Sequence, residues 1–145
     1  MFMGEYNHSV DAKGRTIVPA KLREGLGETF VITRGLDGCL FGYSDKEWEK
    51  FEEKMQSLPL SNQDSRKVVR FFLSGATQCE VDKQGRILIP ANLRDFAGLE
   101  KDIVFIGAAN RIEIWNKTKW DECNAEYSDN MDEVIADMEN LGFNF

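Results

Sequence analysis

Two arginines of this chain, Arg15 and Arg86, each follow a glycine directly and come four residues after an aspartate, Asp11 or Asp82. An arginine held by a rigid turn can bind phosphate oxygens or the edge of a guanine base, because its planar set of donors fits both. The same spacing allows a local charge pair that only stiffens a turn, and exposed pairs contribute little to stability. The two interpretations are compatible, since an aspartate that orients an arginine also prepares it to bind.

The rest of each motif is typical of a tight turn. Asp11 and Asp82 can accept backbone N–H bonds where the turn starts, and Gly14 and Gly85 can adopt the positive φ that closes it. These four residues are therefore predicted to shape the two turns.

The elements that position the motifs come from an internal repeat. Residues 10–23 and 81–94 align without a gap and agree at 8 of 14 positions. Because the period is about half of the chain, a duplicated half-domain is a better interpretation than a solenoid.

Each copy is predicted to form a β-hairpin followed by a short helix. Alternating residues favour one strand before the turn, and a β-branched run favours another after it. The predicted strands are 5–10 and 15–18 in the first copy, and 76–81 and 86–89 in the second. Pro19 and Pro90 are expected at the first position of each short helix.

Amphipathic helices are predicted between and after the copies. A capping box at 44–47 begins one, and Ser61 or Asn62 can cap a second. Asp129 is expected to cap a separate acidic segment near the end of the chain. This last segment is expected either to dock on its own domain or to clasp another subunit.

Charge is distributed unevenly. The net charge is −7, but residues 121–145 hold eight acidic groups and no Lys or Arg, whereas the other residues carry 18 basic and 17 acidic groups. Residues 10–23 have four basic groups to one acidic, and residues 81–94 three to one. One such island would bind nucleic acid feebly, because affinity grows with the number of phosphates neutralised. The distribution therefore indicates an oligomer.

The sequence favours neither an enzyme nor a metal or cofactor site. The only histidine, His8, aligns with Cys79, which is typical of a half-buried packing position. Nucleotide-binding glycine loops are absent, and the three cysteines lack a Cys-x-x-Cys pair. The thiols are expected to be reduced in a cytoplasmic protein, and no apolar run approaches the ~20 residues of a membrane span.

The repeated pattern Val-Asp-x-x-Gly-Arg-x-x-Ile/Val-Pro-x-x-Leu-Arg resembles the hallmark of the SpoVT-AbrB family of swapped-hairpin DNA-binding domains. Two copies behind an initial Met-Phe-Met-Gly-Glu-Tyr resemble the MraZ transcriptional regulators of bacteria. The resemblance covers almost the whole chain, except for about the last 20 residues.

The resemblance implies a mainly β (α+β) fold. Two tandem repeats would form a pseudo-twofold, AbrB-like swapped-hairpin β-barrel with amphipathic helices packed outside, and swapping would cover edges that a half-barrel leaves exposed. The implied domains are repeat 1 at 5–50, a connecting helix at 51–75, repeat 2 at 76–122 and an acidic helix or tail at 123–145.

The resemblance also implies a function. A regulator of this family would bind the promoter of the division and cell-wall gene cluster, including its own gene, as a ring-shaped homo-oligomer on short repeats in double-stranded DNA. It would act in the cytoplasm at the nucleoid. Arg15 and Arg86 would contact bases or phosphates, with Lys13 and Lys83 as phosphate partners. A protein-interaction module and an antitoxin-like regulator are the alternatives.

Overall fold

The computed structural model describes residues 1–145 and contains eight strands and five helices. The strands are β1 (Glu5–Ser9), β2 (Arg15–Ile17), β3 (Thr29–Arg34), β4 (Leu40–Ser44), β5 (Thr77–Glu80), β6 (Arg86–Leu88), β7 (Asp102–Ala108) and β8 (Arg111–Asn116). The helices are α1 (Ala20–Leu26), α2 (Asp45–Ser57), α3 (Gln63–Gly75), α4 (Ala91–Ala97) and α5 (Lys117–Asn140). This arrangement confirms the predicted α+β class, and all strand pairs are antiparallel.

Strands of the two copies pair with each other. Six strands form one sheet in the order β1-β7-β8-β4-β3-β5, and β2 and β6 form a separate two-stranded ribbon. Exchanging the copies only reverses this order, so the pairing has an approximate twofold symmetry. The strand positions were predicted nearly correctly. The predicted hairpin of the first copy is paired only at its tip, where Val10 bridges to Thr16 and the Asp11 N–H donates to the Arg15 carbonyl at 2.9 Å; β1 itself pairs with β7.

The predicted barrel does not appear as a closed ladder of strands. The large sheet ends at β1 and β5, which are edges. It stays open because the strands that follow these edges, β2 and β6, pair with each other and extend neither edge.

Apolar residues pack on both faces of the large sheet. In β7, Ile103 and Phe105 belong to one cluster, whereas the intervening Val104 belongs to the other. The first cluster includes the short helices α1 and α4 through Leu22 and Leu93. The second cluster is covered by aromatic residues of α2, α3 and α5. The ribbon is thus held on the side of the sheet that α1 and α4 occupy.

The predicted starts of α2 and α3 are confirmed. Ser44 accepts a hydrogen bond from the Glu47 backbone at 3.3 Å, and Asn62 accepts one from Ser65 at 3.1 Å. The prolines lie one position earlier than expected: Pro19 and Pro90 are the residues before α1 and α4. The proline carbonyls there accept the N–H groups of the third and fourth residues of each helix.

The expected break at Asp129 was wrong. Helix α5 runs through this position for 24 residues, about 36 Å. Its cap is Asn116, which accepts from the Lys119 backbone at 3.0 Å, and no glycine or proline interrupts it before Gly142. Trp120 is the only buried residue of this helix, so most of α5 extends beyond the sheet. None of the helices combines the length and the apolar character needed to cross a membrane.

Candidate nucleic-acid interface

The first turn, residues 11–15, is closed by hydrogen bonds around one carboxylate. Asp11 Oδ1 accepts the backbone N–H groups of Lys13 and Arg15, both at 2.9 Å, and Oδ2 accepts Arg15 Nε at 2.8 Å. The Gly14 N–H donates to the Asp11 carbonyl at 3.0 Å, and the φ of Gly14 is 89°. Asp11 therefore fixes both the backbone of the turn and the start of the arginine side chain.

The second turn, residues 82–86, repeats this geometry. Asp82 Oδ1 accepts the backbone N–H groups of Gln84 and Arg86 at 2.9 Å, and Oδ2 accepts Arg86 Nε at 2.9 Å. Gly85 has a φ of 79°. Two turns that lie far apart in the chain thus present arginine in the same local frame.

Hydrogen bonding keeps both aspartates ionised. The backbone N–H of Arg15 lowers the pKa of Asp11, and that of Arg86 lowers the pKa of Asp82, with further contributions from the arginine side chains. Each turn consequently holds its arginine as an ion pair at neutral pH.

The arginines keep their outer donors free. Only Nε of Arg15 and of Arg86 is bound by protein, and the two terminal nitrogens of each have no hydrogen-bond partner. The side chains are 36% and 30% exposed. A guanidinium fixed at Nε and open at its terminal nitrogens can make a bidentate contact with an external acceptor. Lys13 and Lys83 are exposed, and their ammonium groups form no ion pair.

The ribbon places the two arginines on one surface. In its register Arg15 lies opposite Leu88 and Ile17 lies opposite Arg86. Because side chains alternate across a strand, these residues point outward, while the central pair is 1–2% exposed and points into the core. We call this surface the ribbon face: Arg15, Ile17, Arg86 and Leu88.

Ile17 and Leu88 belong to this surface, although neither was predicted as a site residue. They are 45% and 57% exposed, unusual values for large aliphatic residues. The signal available in the sequence was their position two residues after each motif arginine, since alternation puts such residues on the same side of a strand.

Arg23 and Arg94, the last residues of the repeated pattern, also have roles that were not predicted. Arg94 lies on Gly14, where an added Cβ would be 2.8 Å from its Cζ, and Arg23 lies on Gly85, where the distance would be 2.6 Å. Each arginine therefore contacts the turn of the other copy. Their identity in both copies was visible in the sequence, but their partners were not.

His8 and Cys79 lie in packing positions, as their alignment predicted. The His8 ring is half-buried and meets Phe105 edge-on at 5.8 Å. Burial lowers its pKa, and the nearby charge of Arg23 lowers it further. Cys79 is 4% exposed and belongs to the apolar cluster beneath the ribbon.

Comparison with known proteins gives one consistent family. Residues 1–71 and 72–140 each match the model of the MraZ family, whose description adds a suggested antitoxin-like role. A protein of Lachnoclostridium phytofermentans named transcriptional regulator MraZ is 58% identical over 145 residues, all of both chains. Proteins of the same name from Acetivibrio thermocellus and Natranaerobius thermophilus are 55% and 58% identical, over 98% and 96% of this chain and 99% of each relative.

Proposed function

Since the chain belongs to the MraZ family, we propose that it is a transcriptional regulator that binds specific DNA sequences through the ribbon face. The name of the relatives is regulatory, in agreement with the prediction that the chain is not an enzyme. The observation that carries the proposal is the pair of identical turns, each fixing an arginine at Nε and leaving its outer donors open.

The pair β2–β6 is a two-stranded β-ribbon, an element that the major groove of DNA admits. Arg15 and Arg86 contact guanine O6 and N7 in a bidentate manner, the commonest specific arginine contact in that groove. Lys13 and Lys83 bind the flanking phosphates. Ile17 would meet an apolar base edge such as the thymine methyl group, and Leu88 occupies the matching position.

The proposed fold assignment is the swapped-hairpin type, with repeats at 5–50 and 76–122 around the connecting helix region 51–75. Its support is the pairing of β1 with β7 and of β5 with β3, which joins each copy to the other. The proposed targets are the promoter of the division and cell-wall cluster and the promoter of the chain's own gene, bound at the nucleoid.

Several copies of the chain act together in the proposal, as a ring-shaped homo-oligomer. A protein with a net charge of −7 and only two arginines on its ribbon face gains affinity mainly by placing several ribbons on one DNA. Short repeated operator sites match such an arrangement.

The surface proposed for assembly is the outer part of α5. It carries an apolar stripe, namely Met131, Val134, Ile135 and Met138, which Leu141 continues directly after the helix, and its other side is acidic. A groove between α2 and α3 is lined by apolar residues such as Met55 and Val69, with Arg66 and Arg70 beside them. Docking of α5 into this groove of a neighbouring copy would pair opposite charges, and a head-to-tail contact of this kind can close into a ring.

The test is binding of the purified protein to a DNA duplex that contains its own promoter, measured by fluorescence anisotropy at several salt concentrations. Arg15→Ala is expected to weaken binding by about 5- to 150-fold, the cost of one bidentate base contact. Lys46→Ala removes an equal charge from α2, away from the ribbon, and is the control. Unchanged promoter affinity in Arg15→Ala would defeat the proposal.

The same assay addresses the alternatives. A protein-interaction module would not bind the promoter without another protein. An antitoxin-like regulator would bind DNA and would in addition capture a toxin partner through a second surface.

A further inference from the structure

The contacts at the two turns are reciprocal between the copies. Arg94 Nε donates to the Ile89 carbonyl at 2.9 Å, and the Ile89 N–H donates to the Gly14 carbonyl at 2.9 Å. The guanidinium of Arg94 fills the space next to the Gly14 Cα, on the side where any other residue would carry its Cβ. Ile89, the residue directly after β6, thus binds the turn through its N–H and the arginine that covers the turn through its carbonyl.

The equivalent circuit exists at the other turn. Arg23 donates to the Val18 carbonyl from Nε at 3.2 Å and from Nη2 at 2.9 Å. The Val18 N–H donates to the Gly85 carbonyl at 2.9 Å, and the Arg23 guanidinium covers Gly85. Neither turn can therefore be completed by residues of its own copy.

We propose that Arg23 and Arg94 are crossed positioning residues: Arg94 holds the first turn for Arg15, and Arg23 holds the second turn for Arg86. As far as DNA affinity is concerned, this inference rests on the function proposed above. The contacts themselves do not depend on it.

Glycine is the most flexible residue of the backbone, so the turn that closes at Gly14 is better defined when contacts restrict it from outside as well as from within. Asp11 restricts the turn from within, and Arg94 restricts it by filling the open side of the glycine. Removal of Arg94 would leave Arg15 on a more flexible turn. The turn would then have to be ordered when DNA binds, and this entropic cost would reduce the affinity for DNA.

The reciprocity makes a specific cross-over prediction. A change at Arg94, in the second copy, should impair the arginine of the first copy, and a change at Arg23 should impair Arg86. A residue that supported its own copy or stability in general would not give this pattern.

The first experiment is NMR of the free protein labelled with ¹⁵N. Arg94→Ala should shift the Gly14 amide and leave the Gly85 amide in place, and Arg23→Ala should do the reverse. Arg94→Lys should shift Gly14 as well, because lysine keeps the charge but lacks the planar group that covers the glycine.

Arg34 provides a matched control. It also lies on a glycine, Gly75, and its Nε also donates to a carbonyl, that of Phe71 at 3.0 Å, but it is on the α3 side of the sheet. Arg34→Ala should lower stability and leave both turn glycines unshifted.

The second experiment is a double-mutant cycle on promoter affinity. The effects of Arg94→Ala and Arg15→Ala should be non-additive by roughly 2- to 150-fold in Kd, the range for coupled residues. The effects of Arg94→Ala and Arg86→Ala on Kd should multiply, as expected for two residues that act independently.

The outcomes separate this inference from the proposed function. If Arg94→Ala leaves the Gly14 amide unshifted, or shifts both glycines equally, the crossed arrangement is refuted. It is also refuted if the effects of Arg94→Ala and Arg15→Ala multiply and the salt dependence falls, since Arg94 would then be a direct phosphate contact. If the native protein does not bind the promoter at all, the proposed function fails while the glycine shifts still decide the inference.

Discussion

Replacement of Gly14 by alanine tests how tightly the first turn is enclosed. The new Cβ would lie 2.8 Å from Arg94 Cζ and 2.9 Å from the Ile89 carbonyl oxygen. The arginine can move, but the carbonyl belongs to the backbone and cannot rotate away. The substitution therefore combines a strained backbone conformation with a steric contact.

The expected loss follows from these two costs. A positive φ costs a residue with a Cβ roughly 1–2 kcal/mol. Relief of the contact with Ile89 would break the hydrogen bond between its N–H and the Gly14 carbonyl, which contributes about 0.5–1.5 kcal/mol. Gly14→Ala should therefore lower the free energy of unfolding by about 1.5–3.5 kcal/mol.

Gly142→Ala is the matched control. Gly142 has a φ of 98°, but no atom lies within 4 Å of the position its Cβ would take. Only the backbone cost of at most about 1–2 kcal/mol applies, and fraying at the end of α5 reduces it.

The assay is urea unfolding followed by tryptophan fluorescence and far-UV circular dichroism. Protein concentration must be held constant, because self-association would add to the apparent stability. If Gly14→Ala is no more destabilising than Gly142→Ala, then Arg94 and Ile89 do not enclose the turn and the reasoning is refuted.

Three further predictions follow from the site, the thiols and α5. The pKa values of Asp11 and Asp82 are lowered in the folded protein, so their contribution to stability is present above the ordinary carboxyl pKa of 3.8 and is lost as the pH falls through the lower folded pKa values. The double variant Asp11→Asn/Asp82→Asn should therefore flatten the acid side of a stability–pH curve, and an unchanged curve would contradict the prediction. Burial raises the pKa of Cys79 to about 12 and also raises the pKa of Cys39, so iodoacetamide should label only Cys123 in the folded protein. Mass spectrometry that shows labelled Cys39 before unfolding would contradict this prediction. Ile135→Asp should reduce the mass measured by light scattering, because it puts a charge into the apolar stripe of α5. Ala136→Asp adds the same charge on the other side of the helix and should leave the mass unchanged. Equal masses for both variants would exclude the proposed assembly surface.

The turns were predictable because their interactions are local. Five hydrogen bonds of the first turn lie within residues 11–15, so the types of Asp11, Gly14 and Arg15 and their spacing were enough to predict the turn. The caps of α2 and α3 were predicted for the same reason. The family was indicated because the motif occurs twice in one chain.

The errors concern positions where a local signal competed with the surroundings. Asp129 was expected to cap a helix because aspartate commonly does so, but α5 already extended from the cap at Asn116, and an exposed aspartate is tolerated within a helix. The partner of β1 along its length, β7, was not predicted, because a strand pattern shows which residues alternate and does not identify the partner strand.

By itself, the sequence determined the two turns, the approximate strands and helices, and the presence of two equivalent halves, since these depend on residues close together in the chain. Tertiary structure alone decided that β2 pairs with β6, which gathers Arg15, Ile17, Arg86 and Leu88 on one face. It also decided that Arg94 covers Gly14 and that Arg23 covers Gly85. The physical reason is that these contacts join residues about 70 positions apart, and only the packing of both halves around a shared core brings them together.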